Sequence, residues 1–184
     1  MKKLMIAAAI VCAAAMVQAS SVAWKTDTNQ YVYQAGGAAK VTSEPALYLF
    51  DAAVISQSDL VDDFAGDSFD ITSYTKVDTT TLSSSATIKT QAGVAYGDGS
   101  TKYSLYFATL VDGNLFISDA KDYQSDGSQS TTTLKFKPQT ASTAAAKMAG
   151  DGYVGAGWYT VPEPTSGLLL LLGVAGLALK RRRA

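Results

Sequence analysis

Between Tyr103 and Val111 the chain alternates with a period of two: Tyr103, Leu105, Phe107, Thr109 and Val111 fall on one face of a strand. Asp112-Gly113-Asn114 ends the run, and Gly and Asn tolerate the positive φ that a tight hairpin needs. Leu115-Phe116-Ile117-Ser118 returns, Asp126-Gly127 turns again, and Thr132 to Phe136 supplies a third strand. The predicted unit over residues 101–137 is an antiparallel meander. The surrounding composition agrees. Thr, Val, Tyr and Phe are abundant, Gly and Asp recur as turn residues, and few long stretches show a period of 3.6.

The same logic places the other elements. Ser21-Val22-Ala23-Trp24 reads as a first strand and Tyr31-Val32-Tyr33 as a second, with Asp27-Thr28-Asn29 as the turn between them. Ala46 to Phe50 is a continuous apolar run after Pro45, which suits a central strand covered on both faces, and Asp51 ends it. Residues 57–64 predict a short helix capped by Ser58 and stopped by Gly66, with Leu60, Val61 and Phe64 buried. Residues 78–87 read as a solvated strand pair or loop, with an O-glycosylated or adhesive patch as the sharper alternative. Residues 141–149 are Ala-rich and predict two helical turns, and Gly157 to Val161 is a final strand. The expected fold is mainly β: a small antiparallel sandwich or meander with one or two short helices. An N-terminal signal helix and a C-terminal hydrophobic helix are expected to flank it.

Those flanks set the domain plan. Met1-Lys2-Lys3 is basic, Leu4 to Val17 is apolar, and Val17-Gln18-Ala19 has the form of a signal peptidase site. Residues 1–19 therefore read as a signal peptide cut between Ala19 and Ser20. Its apolar stretch is short of the roughly 20 residues that span a bilayer. Residues 20–161 form the extracytoplasmic body, and residues 162–184 form the tail. The body has 161 − 19 = 142 residues, enough for one core.

The body holds nine Lys, no Arg and fifteen acidic residues, all Asp except Glu44, a net charge of 9 − 15 = −6. That balance speaks against a nucleic-acid partner, whose binding leans on phosphate neutralisation. The chain has no His, and its one Cys, Cys12, lies in the signal peptide. Disulfides, Cys nucleophiles and imidazole-based triads are excluded from the mature body.

Candidate chemistry in the body is limited to oxygen ligands and aromatic rings. Three acidic clusters stand out: Asp59, Asp62, Asp63 and Asp67; Asp112 with Asn114; and Asp119, Asp122 and Asp126. Calcium is the cation such groups would suit, but none fits the twelve-residue calcium loop. Asp at turns and on a soluble surface explains them, so no metal, cofactor or catalytic residue is expected. Two carboxylates can also hydrolyse glycosides without His, and Trp24, Tyr31, Tyr33 and Trp158 could stack on sugars. A carbohydrate-active enzyme or sugar-binding module is therefore the alternative to a non-enzymatic body.

The tail has three parts. Pro162, Glu163 and Pro164 form a short polar motif, residues 166–179 form an apolar stretch, and Lys180, Arg181, Arg182 and Arg183 form a basic stop. A 15-residue helix is roughly 22 Å long, short of a hydrocarbon core of about 30 Å. The basic end stays cytoplasmic and leaves the body outside. The prolines keep helix from running back out of the membrane, so the motif is extended where an enzyme can reach it. In this order the residues resemble the PEP-CTERM protein-sorting signal of Gram-negative bacteria. The resemblance covers Pro162 to Ala184 and implies an exosortase as processing enzyme, beside signal peptidase. It implies transient residence in the inner membrane, delivery to the cell surface or extracellular matrix, and exopolysaccharide as a partner. A tail retained as a plain single-span anchor is the competing expectation.

Overall fold

The computed structural model describes residues 20–66, 68–89, 92–97, 101–124, 131–138 and 145–161. Ten strands and one α-helix follow in order: β1 (Ser21–Thr26), β2 (Ala46–Asp51), α1 (Gln57–Phe64), β3 (Asp78–Thr81), β4 (Val94–Ala95), β5 (Lys102–Val111), β6 (Asn114–Ile117), β7 (Lys121–Gln124), β8 (Thr131–Phe136), β9 (Lys147–Met148) and β10 (Gly157–Thr160). The fold is mainly β. The helices expected at the two termini, and residues 141–144 of the Ala-rich segment, lie outside the described residues.

Two sheets stack. The larger has the order β3-β2-β5-β6-β10-β9, with β7 also paired to β5; the smaller has the order β4-β1-β8. One core lies between them, where Val22, Trp24, Leu134 and Phe136 of the small sheet meet Leu47, Leu49, Leu105, Phe107, Phe116 and Trp158 of the large one. The other face of the large sheet is also covered. There Phe50, Tyr106, Ala108, Leu115, Ile117 and Tyr159 pack against Leu60, Val61 and Phe64 of α1 and against Ile71 of a 3-10 turn at Ile71–Ser73. Burial on both faces explains why β2 and β5 are apolar at consecutive positions rather than alternating with polar residues.

The long hairpin forms as its sequence predicts. β5 runs antiparallel to β6 from Val111↔Asn114 to Ala108↔Ile117. The connection is Asp112-Gly113, with φ of 48° and 75°, the left-handed pair that a two-residue hairpin requires. Beyond Ile117 the returning strand bulges. From Ala108 to Leu105 is three residues, while from Ile117 to the next pair at Lys121 is four. Ser118 fills the gap: its Oγ accepts the Phe107 N–H at 2.9 Å, and its own N–H reaches the Phe107 carbonyl at 2.9 Å. β7 then continues along β5.

That bulge corrects the meander. β8 does not follow the hairpin as its third strand but pairs in parallel with β1, from Ser21↔Thr131 to Thr26↔Phe136, in the other sheet. A third meander strand would pair with the outer edge of β6, and β10 occupies that edge. Other expectations change too. Tyr31-Val32-Tyr33 makes only an isolated bridge, Tyr33↔Lys40, because Val32 bonds instead to Ala86 and Val41. The helix cap is Ser56, whose side chain accepts from the Asp59 N–H, and not Ser58, which hydrogen-bonds to Ser56 Oγ. The described end of the Ala-rich segment is strand β9, parallel to β10, and a 3-10 turn at Ala149–Asp151. Sandwich architecture is present, but with two parallel pairings in an otherwise antiparallel fold.

Candidate functional site

β10 delivers the chain to the tail, and its surroundings hold it rigidly. It lies between β6 and β9, with Trp158↔Phe116 and Thr160↔Met148. Gly157 has φ of 135°, a conformation side chains rarely adopt, and Lys147 lies directly beside it. The Lys147 ammonium donates to the carbonyls of Gly155 and Ala156 at 2.7 and 2.8 Å, and sits 5.3 Å from the centroid of the Tyr159 ring. The Tyr159 hydroxyl donates to Gly155 O and accepts from the Val154 N–H. The Trp158 indole donates to the carbonyl of Tyr33 at 2.7 Å, tying the strand across the core. Val161, half-buried, packs on the helix side of the large sheet. Only one residue therefore separates the last strand from Pro162.

A second indole makes the equivalent tie on the other side. Trp24 Nε1 donates to Asp78 Oδ2 at 2.7 Å, joining β1 of the small sheet to β3 of the large one. Asp78 Oδ1 accepts the N–H of Thr79 at 2.8 Å. Both Trp24 and Trp158 are thus core residues and present no face for sugar stacking. Tyr33 is buried, and the Tyr31 ring carries the Lys40 ammonium 3.3 Å from its centroid. The carboxylates are likewise engaged in structure. Asp51 Oδ2 accepts from the Tyr96 hydroxyl at 2.6 Å and its Oδ1 from the Ala53 N–H. Asp63 accepts from the Tyr74 hydroxyl at 2.8 Å.

Among the described residues no group of three His, Cys, Asp or Glu side chains is placed to hold a metal ion. Asp67 and Asp126 lie outside those residues, as do Ala19, Pro162, Glu163, Pro164, Lys180, Arg181, Arg182 and Arg183. Ser20, on the far side of the expected signal peptidase cut, is buried, and its carbonyl accepts the Tyr96 N–H at 3.0 Å. Among the described residues no helix is long and apolar enough to cross a membrane, and residues 166–179 are not among them.

Two open grooves stand out among the described residues. One, of about 290 Å³, lies on the helix side between Tyr48, Leu110 and the segment Phe69 to Thr72. The other, of about 340 Å³, is lined by Glu44, Lys89 and the hydroxyls of Thr80, Thr81, Ser83 and Ser84. Neither contains a pair of carboxylates. The Asp51–Tyr96, Asp78–Trp24 and Lys147 contacts were invisible in the sequence, because each joins residues that only the fold brings together.

The tyrosines give this body a distinct alkaline response. Burial raises the phenols of Tyr96, Tyr106, Tyr153 and Tyr159 above the ordinary value near 10, and the Asp51 hydrogen bond adds to the rise at Tyr96. Tyr74 is pushed up to about 12 by burial and by its bond to Asp63. A phenol whose folded pKa is raised contributes stability that is fully present below pH 10 and is lost as pH rises through the folded value. Lys147, lowered by burial, works in the opposite sense, but it is one group against five. The urea midpoint is therefore expected to be flat from pH 8 to 9.5 and to fall steadily between pH 10 and 12. Midpoints measured in that range alongside tyrosinate absorbance check this; a midpoint that holds to pH 12 contradicts it.

Neither the curated proteins nor the solved structures gave a match to the chain. The family model for the PEP-CTERM protein-sorting motif matches residues 160–183, so it begins at the last residue of β10 and runs to the basic stop. The chain carries a PEP-CTERM protein-sorting motif as its carboxyl-terminal tail.

Proposed function

We propose that this is an exported protein, sorted through its tail by an exosortase and delivered to the cell surface or extracellular matrix. The body then serves as a structural or interaction module, without catalysis and without a cofactor, and exopolysaccharide is the partner such a location offers. The sorting motif at residues 160–183 carries this proposal. Two features of the body support a non-catalytic role: its paired carboxylates hold structural donors, and both tryptophans are buried in the core. Signal peptidase cuts between Ala19 and Ser20 before β1 docks, because Ser20 is only 1 % exposed once the sheet forms.

Mass spectrometry of the mature protein from its native host tests the sorting step. A start at Ser20 and a C-terminus near Pro164 are expected. A retained Arg183-Ala184 end would instead leave a plain membrane anchor. Glu163 is the one charged residue between the body and the apolar stretch. Glu163→Ala is expected to hold the protein in the membrane fraction as an uncut precursor. Normal release of that variant, read by fractionation and immunoblot, removes Glu163 from the recognition.

A further inference from the structure

The two ends of the body lie at opposite ends of the large sheet. β10 ends at Thr160, beside Met148 of β9, and by continuation of its pairing with β6 it reaches Asn114 at the Asp112-Gly113 hairpin. The first residue of β2, Ala46, pairs with Thr81, the last residue of β3, on one side, and on the other its carbonyl accepts from the Thr109 hydroxyl of β5, next to the Leu47↔Thr109 pair. Thr81, Ala46, the hairpin, Thr160 and Met148 therefore form one rim of strand ends. Ser20 belongs to the other end. Its carbonyl bonds to Tyr96, whose hydroxyl reaches Asp51 and whose own carbonyl accepts from Tyr123. Asp51 is paired with Leu105, and Tyr123 with Tyr103, near the start of β5. The ten residues of β5 separate the two ends by about 30 Å at the usual rise of a strand.

The tether at the rim is short. Four residues, 162–165, separate Val161 from the apolar stretch that starts at residue 166. Fully extended they span at most about 14 Å, and the polar zone on each side of the hydrocarbon core is about 5 to 7 Å deep. β10 cannot swing freely, because Lys147, Tyr159 and Trp158 fix it within the sheet. We propose that in the tail-anchored precursor, which rests on the sorting proposal above, the rim of Thr81, the Asp112-Gly113 hairpin, Asn114 and Thr160 faces the lipid headgroups. The end that holds Ser20 points away from the bilayer. The rim suits that neighbour: Thr81, Asp112 and Gly113 are exposed, and small polar groups of this kind fit a hydrated headgroup layer rather than hydrocarbon.

The absence of Cys from the mature body makes the test direct, since any introduced Cys is a unique label site. The full chain is produced in a Gram-negative host that lacks an exosortase, purified from its membranes, and placed in phosphatidylcholine vesicles carrying a headgroup nitroxide. Asn114→Cys and Thr81→Cys report the rim, and Lys102→Cys and Gln124→Cys report the far end, each bearing the same fluorophore; two sites per end guard against one variant that misfolds. Strong quenching at both rim sites and none at the far sites is expected. A twenty-residue Gly-Ser insertion after Val161 is expected to abolish the difference, since such a linker has an r.m.s. length of about 25 Å. Equal quenching at both ends, or stronger quenching at Lys102→Cys and Gln124→Cys, in protein that floats with the vesicles overturns the orientation alone. Failure to float with vesicles overturns the anchored tail, and the orientation with it.

Discussion

Trp24→Ala is expected to cost about 3 to 5 kcal/mol, the usual range for removing a buried large aromatic. Trp24 is fully buried between the sheets, where its ring meets Phe107 at 6.0 Å and Phe136 edge-on at 6.3 Å. Its indole N–H also supplies the bond to Asp78 that joins the sheets. Domains are typically stable by about 5 to 15 kcal/mol, so this one change removes about a fifth of the total or more. A drop in melting temperature of roughly 10 to 20 °C follows. Trp24→Phe separates the two contributions. It keeps most of the apolar contact but removes the indole donor to Asp78 Oδ2, at an expected cost of about 1 to 2 kcal/mol. Urea unfolding of both variants decides it. A Trp24→Ala midpoint within experimental scatter of the parent means that β1 does not organise the core as described.

Removal of residues 162–184 is expected to have the largest effect on location and almost none on stability. The core is closed by Val161, and the final strand is held by contacts to Lys147, Tyr33 and Gly155, all within the body. The shortened protein should unfold at the same urea concentration as the parent and leave the membrane fraction entirely. Retention in that fraction would show that something other than the tail anchors the chain. A large loss of stability would show that the body's core extends past Val161.

The sequence was readable where local pattern and tertiary role coincide. The apolar run Ala46 to Phe50 marked a strand covered on both faces, and β2 contributes to both cores. Leu60, Val61 and Phe64 marked the buried stripe of α1, and Asp112-Gly113 marked the hairpin. The sorting motif was readable because its chemistry is linear and needs no fold. What failed was pairing between distant segments. Thr132 to Phe136 has a strand pattern, but nothing in it says that its partner is β1, more than a hundred residues earlier. The bulge at Ser118 depends on one hydroxyl replacing a backbone acceptor, which no periodicity reveals. Lys147 and Met148 follow an Ala-rich run with high helix propensity, yet β10 takes them as a parallel edge strand.

Wherever copies of a protein are crowded together, an open sheet edge is a template for zipping one molecule onto the next. β3 is such an edge. It is only four residues long, and the carboxylate of Asp78 already occupies the N–H of Thr79. The side chain that fastens the two sheets through Trp24 thus also withholds a backbone donor from a neighbouring copy. Resistance to unfolding and resistance to aggregation are vested in the same residue, and a change at Asp78 would weaken both at once.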